Sequence, residues 1–238
     1  MNEATSLSEH YESSKIEKAI PLDKDFMIKK IDDRVYGFLR IKSYKGINLK
    51  GEEVYFAYKN GILDEISSAL RINKRSVRNK IDNMLKAKYL TKSVVRDLNG
   101  KGTIECYILE NASLFQKVEE ETLKELVYNT QEHVIKTYAY ILDKYLFRLN
   151  IGDRYRFSER ELILECLGVK FPKSIDYEIM MSCISMLQRL GLLVLSDKKY
   201  KKFSDKTGKC TFYFEVLKVN TKLPSKEVLS KMFLNKVE

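Results

Sequence analysis

At 238 residues the chain can hold one large domain or two small ones, and its 43 Lys and Arg against 33 Asp and Glu leave a formal net charge of +10, so its favoured partners are polyanions: nucleic acid, an anionic membrane or an acidic protein. No stretch approaches the ~20 apolar residues of a membrane span, and the amino-terminal segment lacks the apolar core of a signal peptide. The four cysteines (Cys106, Cys166, Cys183, Cys210) and two histidines (His10, His133) lack zinc-site spacing, so the expectation is a cytoplasmic chain with buried free thiols, no metal, no cofactor and no membrane partner.

Residues 1–23 are polar and read as a flexible tail. Asp32–Ser43 places Val35, Tyr36 and Leu39 at helical spacing, with negative charge at the helix start. Turns are expected at Lys45-Gly46 and Lys50-Gly51, then a strand over Val54–Tyr58. Ile62–Leu70 is the next helix, with Arg71-Ile72 as the turn and Asn73 as N-cap of a helix from Lys74 to about Lys88. Thr91–Asp97 and Thr103–Leu109 alternate like paired strands around Asn99-Gly100.

On a helical wheel Val77, Ile81, Met84 and Leu85 share one side of Lys74–Lys88, while Arg75, Asn79, Asp82 and Lys86 run down the other, flanked by Arg78 and Asn83. That division suits a helix seated in the DNA major groove. Arg bonds guanine O6 and N7 in a bidentate way, and Asn does the same with adenine N6 and N7, so Arg75 and Asn79 are the expected base readers. Lys74 and Ser76 are assigned to phosphate at the helix start, and Arg78, Lys80 and Lys86 to charge. Asp82 either pairs with Arg78 or accepts from cytosine N4. On the hairpin, Lys92, Arg96, Asn99 and Lys101 add polar and cationic groups beside the duplex.

Ser113–Thr130, with Glu119-Glu120-Glu121, reads as a solvated helical connector. A second unit starts near Gln131. Val134–Leu149 is amphipathic, Tyr155–Phe157 is a short strand, and Ser158 with Glu161 forms a capping box for a helix over Glu159–Leu167. Gly168 suits its C-terminal end. Tyr177–Leu190 is the counterpart helix, and a shift of 102 positions sets Val77 on Ile179 and Ile81 on Cys183. Met180, Met181 and Ile184 lie away from that side, so this helix is nearly apolar all round and is expected to be buried against the first unit or a second copy. Gly191–Leu195 and Cys210–Val219 are strands around a basic loop, Asp197–Lys209. There Lys198, Lys199, Lys201, Lys202, Lys206 and Lys209 bracket Tyr200 and Phe203 and can neutralise phosphates without reading sequence. From Pro224 onward, Val228, Leu229, Met232 and Phe233 form a final apolar stripe.

The expected fold is α+β: two winged helix-turn-helix domains in tandem joined by a helical connector. The expected divisions are 1–23 (tail), 24–112 (first domain, DNA reading), 113–130 (connector), 131–221 (second domain, assembly and basic wing) and 222–238 (amphipathic helix). The order Phe26, Val35-Tyr36-Gly37-Phe38-Leu39, Glu53-Val54-Tyr55-Phe56-Ala57, Ile66, Leu70, Ser76-Val77, Leu85, Tyr89-Leu90 resembles the winged-helix domain of plasmid and phage replication initiators of Gram-positive bacteria. The pattern is similar in Val134-Ile135-Lys136-Thr137-Tyr138, Phe157–Leu162 and Leu187, Gly191–Leu193. The resemblance covers most of 25–220 and implies binding to repeated origin sites and recruitment of replisome proteins.

Expected partners are therefore double-stranded DNA, a homodimer mate through the second domain or the C-terminal helix, and replisome proteins. A transcription regulator on a promoter operator would use the same contacts, and a protein-binding winged-helix adaptor is the alternative of another class. No GxxxxGK[ST], HExxH or GxSxG pattern is present, so no catalysis is expected.

Overall fold

Helices pack on antiparallel sheets in a mixed α+β chain; the computed structural model describes residues 18–23, 26–27, 31–96, 102–109, 115–203 and 210–225. Helix α1 (Asp33–Ile41) starts at Asp32, whose Oδ1 accepts from the amides of Arg34 (3.0 Å) and Val35 (2.9 Å). A capping carboxylate satisfies donors that have no partner in the first turn. The helix buries Val35, Tyr36, Phe38 and Leu39.

Strands β2 (Tyr44–Ile47) and β3 (Glu53–Tyr58) form a hairpin. The turn expected at Lys45-Gly46 lies inside β2. Gly46 is there because Phe56 lies against its backbone: a Cβ at that position would stand 2.6 Å from the ring. Helices α2 (Ile62–Leu70) and α3 (Lys74–Lys86) follow, joined by the turn Arg71–Asn73, and then strands β4 (Leu90–Arg96) and β5 (Thr103–Leu109). The sheet order is β2-β3-β5-β4, and Asn48 bridges Val95, so the sheet curls until its first strand meets its last. Inside the curl sits a small core of Phe56, Val95, Cys106 and Ile108, separate from the main one.

Residues 18–21, assigned above to a flexible tail, form β1 (Lys18–Pro21), paired with β6 (Phe115–Val118). Polar composition misleads here. Ile20 is fully buried, and Lys18 is buried beside it with its ammonium 3.4 Å from Glu120. The connector thus supplies a strand as well as the expected helix, α4 (Glu120–Asn129). Two of its adjacent glutamates are tied by Lys124, at 3.1 Å from Glu120 and 2.7 Å from Glu121.

The second unit runs α5 (Val134–Asn150), β7 (Arg156–Phe157), α6 (Glu159–Leu162) continuing as a π-helical turn (Ile163–Leu167), α7 (Ser174–Arg189), β8 (Leu193–Phe203) and β9 (Cys210–Val219), with sheet order β7-β9-β8. The stretch expected to be a basic loop from Asp197 is strand as far as Phe203, with Lys199 opposite Phe214, Tyr200 opposite Tyr213 and Lys201 opposite Phe212; residues 204–209 lie outside the described residues. Alternating lysine and aromatic residues are extended chain here, not loop.

The order helix, strand, helix, helix, strand, strand is common to both units once β2, which has no counterpart in the second, is set aside. Their equivalence is fixed by the ends of α3 and α7. Tyr89 N donates to Met84 O (3.0 Å) and Lys88 N to Leu85 O (3.1 Å); Leu192 N donates to Leu187 O and Gly191 N to Gln188 O, both at 2.9 Å. This paired closure of the last helical carbonyls sets Lys88 on Gly191, a shift of 103. The shift of 102 is therefore corrected by one. Val77, Ile81 and Met84 fall on the buried Met180, Ile184 and Leu187. Apolar spacing alone misses by one because α7 also carries Ile179 and Met186, which are half-buried.

The units share one continuous core, from Ile20 to Val219. Gly37 of α1 lies against α4 and α5; a Cβ there would come 2.7 Å from Val127 Cγ2 and 3.3 Å from Ile135 Cδ1. Asp33, fully buried, accepts from the amides of His133 (3.0 Å) and Lys136 (3.1 Å). The first turn of α5 has no side-chain cap of its own at His133, so the first unit supplies it. The Lys136 ammonium donates to Ile31 O at 2.7 Å, and burial pushes its pKa down. Among the described residues no helix is long and apolar enough to cross a membrane.

Candidate nucleic-acid interface

Asn73 starts α3 as expected: its backbone is extended and its Oδ1 accepts from Ser76 N at 2.8 Å. Val77, Ile81 and Met84 are buried and seat the helix on the core, with Leu85 half-buried beside them. Arg75, Arg78, Asn79, Asn83 and Lys86 are exposed, and their side chains have no hydrogen-bond or ion-pair partner among the described residues. The expected division of the helix into an anchoring side and an open, donor-rich side is therefore present. Lys74 is exposed too, but pairs at 2.6 Å with Asp64 on α2. A pair so open to solvent is worth under about 1 kcal/mol and leaves the ammonium available. Ser76 and Asp82 are half-buried, and Asp82 makes no ion pair with Arg78.

Lys80 is the exception. Its ammonium bonds Asp32 and lies 3.5 Å from Glu132, with the side chain only 26 % exposed. Burial is the largest single influence and works against its charge, but the hydrogen bonds and attraction of Asp32 and Glu132 together outweigh it, and the pKa stands above the ordinary value. Two carboxylates already balance this cation. The expectation that Lys80 adds charge to the open face is wrong: helical position alone does not show that α1 and the start of α5 come up against it.

Lys92 is exposed on β4. Asn99 and Lys101 lie outside the described residues, as does the side chain of Arg96. In the second unit Lys201 is exposed, with its ammonium 5.5 Å from the centre of the Phe212 ring. Lys206 and Lys209, and the side chains of Lys198, Lys199 and Lys202, lie outside the described residues. So do Val228, Leu229, Met232 and Phe233.

Arg154 and Arg156, absent from the expected contacts, stand on the outer face of the second sheet. Arg156 stacks 3.9 Å above the Tyr200 ring, and both arginines pair with Glu215, at 3.0 Å and 2.8 Å. The signal that would have found them is the register that sets Arg156 opposite Glu215, which requires knowing that β7 pairs with β9.

Of the two places expected to bury helix α7, the first unit does not cover it, and it packs within its own unit. It packs on α5 and on the α6 segment with Met180, Cys183, Ile184 and Leu187. Ile175, Glu178, Ser182, Ser185 and Arg189 remain exposed. Cys106, Cys166 and Cys183 are free and buried; burial pushes the Cys106 thiol up to about 11 and that of Cys183 to about 12, so neither is a ready nucleophile.

The chain matches no protein-family model, no curated protein and no solved structure.

Proposed function

We propose that this chain is a tandem winged-helix protein that binds double-stranded DNA in a sequence-specific way through α3. The observation that carries the reading is the open face of α3. Three cations and two amides stand exposed and unpartnered on a helix whose other side is anchored in the core. Their donors match the acceptors on guanine and adenine edges in the major groove. The elements around α3 follow the order in which such domains present a recognition helix flanked by a β-hairpin. Lys92, exposed on that hairpin, would contribute charge toward backbone phosphate.

The second unit supports the first. Its outward helix face carries one Glu and one Arg and offers little to a duplex, so its contribution is rigidity and the cations on β8. The likeness to plasmid and phage initiators makes origin repeats the first duplexes to try, with promoter operators second.

Selection of bound sequences from a random duplex pool, followed by affinity measurement, tests the proposal. Arg75→Ala and Asn79→Ala should each reduce preference for the selected site by about 1–3 kcal/mol. No measurable affinity for any duplex at low salt would overturn DNA binding and favour a protein-binding adaptor.

A further inference from the structure

Three non-glycine residues among those described have positive φ: Arg71 (54°), Lys88 (62°) and His133 (75°). The first two bracket α3. Arg71 ends α2 immediately before the turn into α3, and Lys88 follows the last turn of α3. In the second unit the corresponding places are glycines, Gly168 (φ 71°) after the π-helical turn and Gly191 (φ 67°) after α7. Glycine is the unstrained choice for this conformation, and a long L side chain is not. Both side chains are exposed, and neither has a hydrogen-bond or ion-pair partner among the described residues. Nothing within the described molecule offsets the strain of placing a cation there.

We infer that Arg71 and Lys88 are phosphate contacts that grip the DNA backbone at the two ends of α3. This rests on the DNA-binding reading above and deepens it by naming contacts that helical periodicity does not reveal. The 13 residues of α3 span about 20 Å, more than the ~12 Å width of the major groove. A helix seated there brings its ends over the flanking backbones, where a cation meets phosphate and reads no base. The same two places in the second unit, whose helix offers no cationic face, carry glycine, the residue that backbone geometry alone would choose.

The experiment uses the full chain with Arg71→Gly and Lys88→Gly, singly and together, and Lys88→Arg as the charge-conserving control. Each glycine variant should melt about 2–4 °C higher than the parent yet bind more weakly. The slope of log affinity against log salt should fall by about 0.9 per residue, with the preferred sequence unchanged. Lys88→Arg should keep the parent slope. A parent protein that binds its selected site while the glycine variants keep the full salt slope would overturn the inference and leave the DNA-binding reading standing. A fall in melting temperature would also overturn it, since the side chains would then be held by contacts inside the protein. Absence of duplex binding by the parent would overturn the DNA-binding reading itself.

Discussion

Helices α3 and α7 occupy the same place in their units and end in the same pair of backbone hydrogen bonds, yet they turn different chemistry outward. The open side of α3 carries Arg75, Arg78, Asn79, Asn83 and Lys86; that of α7 carries Ile175, Glu178, Ser182, Ser185 and Arg189. The inward sides are nearly interchangeable, Val77, Ile81 and Met84 against Met180, Ile184 and Leu187. Packing constrains one side of such a helix and leaves the other to function. Position in the fold therefore does not assign a role, and the outward residues do.

The most severe way to break this pair of units is Asp33→Ala. It removes the acceptor for the His133 and Lys136 amides and leaves one buried and one part-buried donor unsatisfied. A loss of about 3 kcal/mol or more in denaturant unfolding is expected; a loss near zero would mean that the units do not depend on this cap.

The next contrast lies within α3 itself. Lys80→Ala should destabilise the protein by about 1–3 kcal/mol, because Asp32 is buried and loses its partner, without changing the salt slope of DNA binding. Lys86→Ala should leave stability within about 0.5 kcal/mol and lower that slope by about 0.9. Denaturant melts and a salt titration on both variants check the pair, and a reversed pattern would refute the division drawn between bound and open cations.

The smallest effect separates the third residues of α2 and α6. Asp64 is exposed and pairs with Lys74, whereas Glu161 is half-buried and burial raises its pKa. A carboxyl raised in the folded state favours folding below its ordinary unfolded value, and that advantage is lost as pH rises through the folded value. Glu161→Gln should therefore raise the melting temperature at pH 7 relative to the parent, with the gain shrinking toward pH 4. Melting curves at both pH values test this, and an equal shift at both would exclude ionisation as the cause.

Local features of both units were legible in the sequence. Helix α2 and strands β5 and β9 have the predicted bounds, and the caps at Asn73 and Ser158 bond as their spacing implies. Such signals are short-range: a period, a cap, a turn residue. What was missed is long-range. Strand β2 was hidden because Gly46 reads as a turn until Phe56 is seen against it, and β1 because its partner β6 lies about a hundred residues away. The bond of Lys80 to Asp32 closes over 48 residues. In the candidate interface, the anchoring and open sides of α3 were readable from periodicity, but the withdrawal of Lys80 and the strain at Arg71 and Lys88 were not.

The bridge from Asn48 to Val95 has a consequence for how the protein keeps to itself. A sheet whose outermost strands meet has little unpaired edge on which a foreign strand can add. The sheet of the second unit shows no such closure among the described residues, where β8, its long outer strand, pairs on one side only. Its sequence there, Asp-Lys-Lys-Tyr-Lys-Lys, is rich in like charge, the usual guard against edge-to-edge aggregation. Whatever those lysines do for a nucleic acid, neutralising them exposes a seam along which copies of the chain can zip together.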